Sequence, residues 1–403
     1  MTESMRSRGM RDLLPADMER FRRTELTFRD VCLGWGYEEV RTPTIEHLYL
    51  FTAAGTLSPQ MLDRVYSFLD WDGWSGERVV LRPDSTIPTV RLFTESLADR
   101  EGAKLFYVQP VLRFDQGDES REDWQCGVEL LGDTYPRGDV ELILLARETL
   151  ERLGLGASLK LSHPGIVRSL LDKAGLAIEE QIALYNRVLA GDLAALDDVE
   201  SKLPGSASVR GLLAMEGSGP AYLQNLETAL KPAVPEIAAP LAELGAVSRM
   251  LEGMGIAHEI APLLVRDFEY YTGPVFHVFA GEKHVGGGGR YDGLAELVGE
   301  RKMPASGFAL DFESIMPLLG ETKEEAGAVT IRCESKEAAD LSRAFALAVA
   351  LREGKALVRV TTGGAGGGRE VVVAAGGFLI SRNGGQPEEV REIADAVRAV
   401  LGT

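Results

Sequence analysis

The chain has 403 residues, 43 Lys and Arg against 61 Asp and Glu, and a formal charge of −18 at pH 7. With 45% hydrophobic and 26% charged residues it has neither a disordered nor a fibrous composition. The acidity argues against a protein that lives by gripping phosphate backbones, because clustered Lys and Arg drive that binding.

Cys32, Cys126 and Cys333 are far apart and form no CxxC pair, which disfavours a zinc knuckle or a dithiol site and suits a reducing cytoplasm. The polar start, Met1 to Arg11, has no apolar stretch, and no 18-residue uncharged apolar run occurs. The expectation is a cytoplasmic protein with no membrane partner.

In chain order, residues 11–36 read as a helix. Asp12 can cap it, Pro15 fits a first turn, and Met18, Phe21, Leu26, Phe28, Val31 and Cys32 have roughly helical spacing. Gly36-Tyr37 ends it, and Glu38 to Pro43 reads as a strand stopped by proline. Further strands are expected at 78–82, 104–114 and 123–132, the last two separated by a polar loop, with a helix over 139–153. From 164 to 262 the chain is rich in Ala, Leu and Glu at helical periodicity, which predicts a helical insertion. Strand character returns over 263–281, then come the glycines Gly286 to Gly289, a helix near 292–300 and a strand near 305–312. A boundary near 318–327 divides a larger domain, 1–322, from a small α/β domain, 323–403. The latter reads as strands at 328–332, 356–360, 370–373 and 377–382, with helices at 335–352 and 387–401.

Most familiar reaction motifs are missing. Neither Gly286–Gly289 nor Gly363–Gly368 leads into GK[ST], so a Walker A loop is excluded; the first run suits close backbone approach and the second a flexible turn. The five histidines make no HxxxH or HxH pair, and no GxSxG elbow or Cys–His partnership occurs. No metal, cofactor or covalent catalysis is expected. What stands out is a set of polar groups at strand positions. Asp84 and Thr86 lie where a strand enters a turn, Arg113 ends a strand, and Gln125 and Glu129, four apart, share one face of the next. Arg266, Tyr270 and Tyr271 follow the insertion. Any one of them suits an ordinary sheet surface. Together they match a zwitterionic amino acid: oxygens for an ammonium, a guanidinium for a carboxylate, an acceptor and a phenol for a polar side chain.

These segments resemble the histidyl-tRNA synthetase family. Arg8-Gly9-Met10-Arg11-Asp12-Leu13-Leu14-Pro15 is similar to its opening, Gly36 to Pro43 to class II motif 1, and Lys104 to Gly132 to motif 2. Arg266 to Gly273 resembles the histidine-specific signature, and Gly287 to Glu313 the last signature plus motif 3. The resemblance implies an α+β fold, a class II synthetase-like antiparallel sheet core with flanking helices. It also implies roles. The matches of Asp84, Thr86 and Gln125 hold the ammonium, those of Glu129 and Tyr271, with Tyr270 beside them, read the imidazole, and those of Arg113 and Arg266 face the carboxylate. Asp84 stands where the synthetases have glutamate.

The nucleotide half departs from the family. Ser314 replaces the motif 3 arginine, Asp311 replaces its glycine, and the short loop Gln116 to Ser120 carries Asp118 and Glu119. Such charges repel polyphosphate and an acceptor stem. Residues 328–403 hold ten Lys and Arg and nine Asp and Glu, so no basic surface marks a tRNA site. This combination resembles the synthetase paralogues that serve as regulatory subunits of short-form ATP phosphoribosyltransferase, the first step of histidine biosynthesis. The resemblance implies a non-catalytic protein that binds the short catalytic subunit and free histidine, forms a homodimer within a hetero-oligomer, and transmits feedback inhibition. Alternatives are an active histidine–tRNA ligase and a synthetase paralogue with another partner.

Overall fold

The computed structural model describes residues 5–53, 62–71, 76–114, 120–133, 135–189, 192–203, 209–264, 271–320, 328–363, 369–374, 376–382 and 386–402. They fall into two compact units, Met1–Gly320 and Glu321–Thr403. In chain order the strands of the larger unit are β1 (Glu38–Glu39), β2 (Ile45–His47), β3 (Ser67–Trp71), β4 (Gly76–Leu81), β5 (Ala103–Leu112) and β6 (Glu122–Leu131). They continue as β7 (Ser158–Ser162), β8 (Glu259–Ile260), β9 (Val275–Ala280), β10 (Lys283–Arg290) and β11 (Ala305–Asp311). Eight of these make one sheet in the order β1-β5-β6-β11-β10-β9-β7-β8, antiparallel except at β1–β5 and β7–β8. The remaining three make a small antiparallel sheet, β2-β4-β3.

Helices cover both faces of the large sheet. They are α1 (Pro15–Gly34), α2 (Leu48–Ala53), α3 (Thr86–Ser96), α4 (Arg137–Arg152), the insertion α5 to α10, then α11 (Leu294–Gly299) and α12 (Phe312–Ile315). The insertion comprises Pro164–Lys173, Ile178–Leu189, Ala195–Ser201, Val209–Ala214, Gly219–Leu230 and Ala238–Gly253. Strand alternation sorts the core. Cys126, Val128 and Leu130 of β6, with Phe308 and Leu310 of β11 and Phe276 and Val278 of β9, join the cluster formed with α1, α4 and the insertion. Leu105 of β5 belongs to a second cluster with Phe51, Val80, Ile87, Val90 and Phe93. The functional groups described below lie on that second face.

The smaller unit contains β12 (Val329–Arg332), β13 (Val358–Thr361), β14 (Arg369–Ala374), β15 (Gly377–Arg382) and β16 (Glu388–Val390), ordered β13-β12-β14-β15-β16. Its helices are α13 (Ala338–Glu353) and α14 (Ile393–Leu401), and its own core includes Ile331, Leu347, Leu351, Val371, Phe378 and Val400.

Three sequence expectations change. The strand expected over Glu38 to Pro43 pairs only at Glu38 and Glu39, because the next residues serve a buried cation. Arg82 donates Nη1 to the carbonyl oxygens of Thr42 (3.0 Å) and Pro43 (2.8 Å) and Nη2 to that of Pro110 (2.6 Å). The helix expected from 387 begins at Ile393, since Glu388–Val390 instead pair with β15. Gly286 to Gly289, read as suited to close backbone approach, form the interior of β10, where a Cβ at Gly288 would lie 2.0 Å from the Gly307 carbonyl oxygen. The sheet β2-β4-β3 was not anticipated: every residue of β3 is exposed, so no buried alternation marks it. Of the strand expected over 263–281, residues 265–270 lie outside the described residues and Val275–Ala280 is extended.

Phe28 shows how α1 holds the sheet. It is fully buried and meets Phe106 and Phe308 edge-on, with centroids 6.0 and 6.4 Å away. Phe28→Ala is expected to cost about 3–5 kcal/mol of folding free energy, measured as a lower denaturant midpoint.

Candidate ligand pocket

The centre of the second face is a buried carboxyl. Glu129 on β6 has 0% exposure. The Tyr107 hydroxyl donates to its Oε1 at 3.0 Å, and the Tyr291 hydroxyl donates to its Oε2. The Thr86 hydroxyl hydrogen-bonds both Glu129 and Tyr107. Burial pushes the Glu129 carboxyl up to about 8, and the Asp84 charge adds to the rise, while the three hydroxyl groups oppose it. The group is therefore mostly neutral at pH 7.

Glycine makes room for this arrangement. Tyr107 and Gly127 are cross-strand partners, and a Cβ at Gly127 would lie 2.1 Å from the tyrosine ring. Gly307 faces Glu129 in register, and a Cβ there would lie 2.2 Å from Oε2. Two side chains are missing so that two others can fit.

The turn after β4 brings the next groups. Asp84 Oδ1 accepts from the backbone N–H of Ile87 at 2.8 Å, which caps the start of α3, whose first residue is Thr86. Arg113 donates Nε to the Pro83 carbonyl at 2.8 Å, so it sits against the same turn. Gln125, half-buried, shares the β6 face with Glu129 and lies opposite Asp311 and Gln109. Tyr271 is half-buried and packs against both large clusters. Asp84, Thr86 and Glu129 thus form one interacting group, with Arg113, Gln125 and Tyr271 placed on the flanking elements. Arg266 and Tyr270 lie outside the described residues. Tyr107 and Tyr291 were missed by the sequence reading. Both stand inside the motif segments, and strand alternation from Glu129 with the β5–β6 register would have found the first.

The far end of the face has a different character. Asp311 caps α12: its Oδ1 accepts from the Glu313 N–H at 2.9 Å and its Oδ2 from the Ser314 hydroxyl at 2.6 Å. Arg11 reaches from the N-terminal segment to Glu313 at 2.6 Å. Burial pushes Glu313 up to about 7, opposed by Arg11 and reinforced by Asp311 and Asp123. Asp123 is itself raised by burial, with Arg113 opposing and Asp311 adding. Asp118 and Glu119 lie outside the described residues. Among the described residues, no group of three His, Cys, Asp or Glu is placed to hold a metal ion. Burial pushes the thiols of Cys32 and Cys126 up, which makes them poor nucleophiles. Among the described residues, no helix is long and apolar enough to cross a membrane.

Comparison with known proteins places the larger unit in one family. The profile of the histidyl-tRNA synthetase family matches residues 9–315. An ATP phosphoribosyltransferase regulatory subunit from Dehalococcoides mccartyi is 46% identical over 317 residues, 78% of this chain and 77% of the relative. A histidine–tRNA ligase from Methanosarcina acetivorans is 32% identical over 325 residues, 78% of this chain and 75% of the relative. The crystal structure of an ATP phosphoribosyltransferase regulatory subunit/histidyl-tRNA synthetase from Bacillus halodurans superposes with a TM-score of 0.74 at 25% identity, covering 90% of this chain and 93% of that one. The expected antiparallel core with flanking helices and a further small domain is the fold that these relatives share.

Gly307→Ala places a methyl group 2.2 Å from Glu129 Oε2 and 2.5 Å from the Tyr291 hydroxyl. The expected loss is about 1–3 kcal/mol of stability by thermal denaturation. Gly293→Ala, which meets nothing within 4 Å, serves as the neutral control.

Proposed function

The chain belongs to the histidyl-tRNA synthetase family, among the ATP phosphoribosyltransferase regulatory subunits, and from that membership we propose that its pocket binds free histidine as an effector. The observation that carries the reading is the contrast between the two ends of one sheet face. Around Glu129 a neutral carboxyl, hydroxyl donors and the Asp84 carboxylate suit an imidazole and an ammonium. Around Asp311 the space is taken up by acidic groups that cap α12 and bind Arg11, an environment that repels a nucleotide. Histidine binds and is not activated, so aminoacylation is lost. The remaining site residues, Gln125, Arg113, Arg266, Tyr270 and Tyr271, complete the amino-acid contacts in this proposal.

The partner is the short catalytic subunit of ATP phosphoribosyltransferase, whose activity this chain supports. Histidine inhibits by linkage: it binds one conformation of the complex better than another, and about 1–3 kcal/mol of such preference makes a usable signal. The homodimer contact in this reading runs from the motif 1-like segment onto the β2-β4-β3 sheet, where Ile45, Phe68, Leu69 and Trp71 are exposed. Leu69 and Trp71 share one face of that sheet and Ile45 and Phe68 the other, and exposed apolar side chains of this kind are a usual mark of an interface.

Calorimetric titration tests the reading. Histidine is expected to bind and ATP not to bind, and Glu129→Ala is expected to abolish histidine binding. Histidine-dependent ATP–pyrophosphate exchange would instead establish a working ligase. The pH profile carries the signature of Glu129. Between about pH 6.5, where free imidazole becomes neutral, and about 8, where Glu129 ionises, one shared proton is already present and affinity is flat. Above that range binding must take a proton back up, so affinity falls about tenfold per pH unit; below it the free imidazolium must shed one, and affinity falls again. Glu129→Gln retains the acid limb and loses the alkaline one. For the dimer, Trp71→Glu is expected to shift the sedimentation coefficient to that of a monomer.

A further inference from the structure

Directly beneath the pocket, on the other face of the sheet, lies a second polar constellation. Arg290 ends β10 and faces Ser306, which faces Leu130, so its side chain leaves the sheet on the side opposite Gly289, Gly307 and Glu129. The residue is 7% exposed and donates to Asp139 in the first turn of α4, itself 3% exposed. The Tyr135 ring lies 5.1 Å from the guanidinium. Arg290 Nε and Asp139 Oδ1 are buried without a hydrogen-bond partner among the described residues. A buried ion pair with two unsatisfied atoms is a weak stabiliser, since desolvation offsets much of the attraction. Its value lies in what it fixes.

On the pocket side it fixes two tyrosines. The Arg290 carbonyl accepts from the Thr272 N–H at 2.8 Å, and the Arg290 N–H donates to the Pro274 carbonyl at 3.2 Å, closing the segment after Tyr271 onto β10. Gly273 presses on the arginine stem, where a Cβ would lie 2.6 Å from Cδ. The next residue, Tyr291, is the donor to Glu129 Oε2. A ligand imidazole that engages Glu129 competes with Tyr291 for the same carboxyl, and the displacement acts on Arg290 one peptide away.

On the other side the pair reaches the insertion. The Tyr135 hydroxyl donates to the Glu243 carbonyl of α10 at 3.0 Å. The Glu243 carboxylate lies 3.4 Å from His163 Nε2, and His163 Nδ1 caps α5 by accepting from the Gly165 N–H at 3.0 Å. His163 mainly, with the Arg290 charge contributing, holds Glu243 below the usual carboxylate range. The first and last helices of the insertion therefore meet at the end of this chain of contacts.

We propose that the Arg290–Asp139 pair is a positioning latch that couples occupancy of the pocket to the helical insertion, through Tyr291 on one side and Tyr135 and Glu243 on the other. The identity of the ligand rests on the histidine reading above; the latch itself does not.

Hydrogen exchange of the full chain, followed by mass spectrometry with and without histidine, tests it. In ligand-free Asp139→Asn, amides at 272, 290–292 and 239–246 are expected to exchange at least about tenfold faster than in the unmodified protein, while those of the smaller unit are unchanged. Histidine slows exchange at 239–246 in the unmodified protein but not in this variant, whose affinity falls about tenfold. Tyr135→Phe keeps the ring against Arg290 and loses the hydroxyl, so its affinity stays within about twofold while the slowing at 239–246 disappears. Arg290→Lys, which keeps the charge, restores part of it. A merely structural pair would loosen the whole larger unit together and leave the histidine-induced slowing intact in these variants; that result, or unchanged ligand-free exchange in Asp139→Asn, overturns the latch. Should the unmodified protein not bind histidine, the ligand-free comparison still decides the latch and only the ligand assignment falls. Should Asp139→Asn not fold, Tyr135→Phe and Arg290→Lys carry the same comparisons.

Discussion

A carboxyl group in the middle of a sheet cannot be left without donors, and Glu129 sets the terms for its surroundings. Its hydroxyl donors come from β5, from the start of α3 and from the residue after β10. Each imposes a further condition. Tyr107 needs the space opposite Gly127, and Tyr291 needs the space at Gly307 and the anchoring of Arg290. Thr86 needs the turn after β4, which Arg82 ties to the segment at Thr42 and Pro43 and to the end of β5. That guanidinium is almost wholly buried, and burial lowers its pKa, so carbonyl oxygens do for it what hydroxyl groups do for Glu129. The polar framework of the pocket is a sequence of such mutual obligations.

What the sequence made legible follows from the range of the interactions. Strands at 104–114 and 123–132 are visible because one face of each is apolar, and the Gln125–Glu129 spacing follows from strand period alone. The partners of Glu129 are a different matter. Tyr291 lies 162 residues away, and only the register of β6, β11 and β10 brings it back. The glycines of β10 read as suited to close backbone approach, and in the fold the neighbouring strands pass too near for a Cβ at any of Gly286 to Gly289. In the sheet β2-β4-β3 the strand at 78–82 was visible, with Val79 and Val80 buried, but β3 escaped because all its residues are exposed and periodicity arguments detect buried faces only.

The charge of −18 gains a physical meaning at the Asp311 end. Residues 328–403 are close to neutral, so the excess of acid belongs to the larger unit. There the Asp311 charge adds to the burial that raises Glu313 and Asp123, and Arg11 opposes the rise at Glu313 and Arg113 that at Asp123. A residue that reads as a lost glycine is, in the fold, the cap of a short helix. Its side chain adds a negative charge there and orders the Ser314 hydroxyl.

The insertion leaves β7 at Ser162, and the chain rejoins the sheet at β8, where Glu259 and Ile260 are the register partners of Lys160 and Leu161. Its two ends are therefore held about one strand spacing apart, roughly 5 Å, whatever lies between them. The entropy of closing such a loop grows only with the logarithm of its length. To the sheet, α5 to α10 are a plug-in module: their length and sequence can drift while the strand pairing on either side stays as it is. A scaffold with that property can keep one ligand-reading face and acquire new ways of reporting its occupancy.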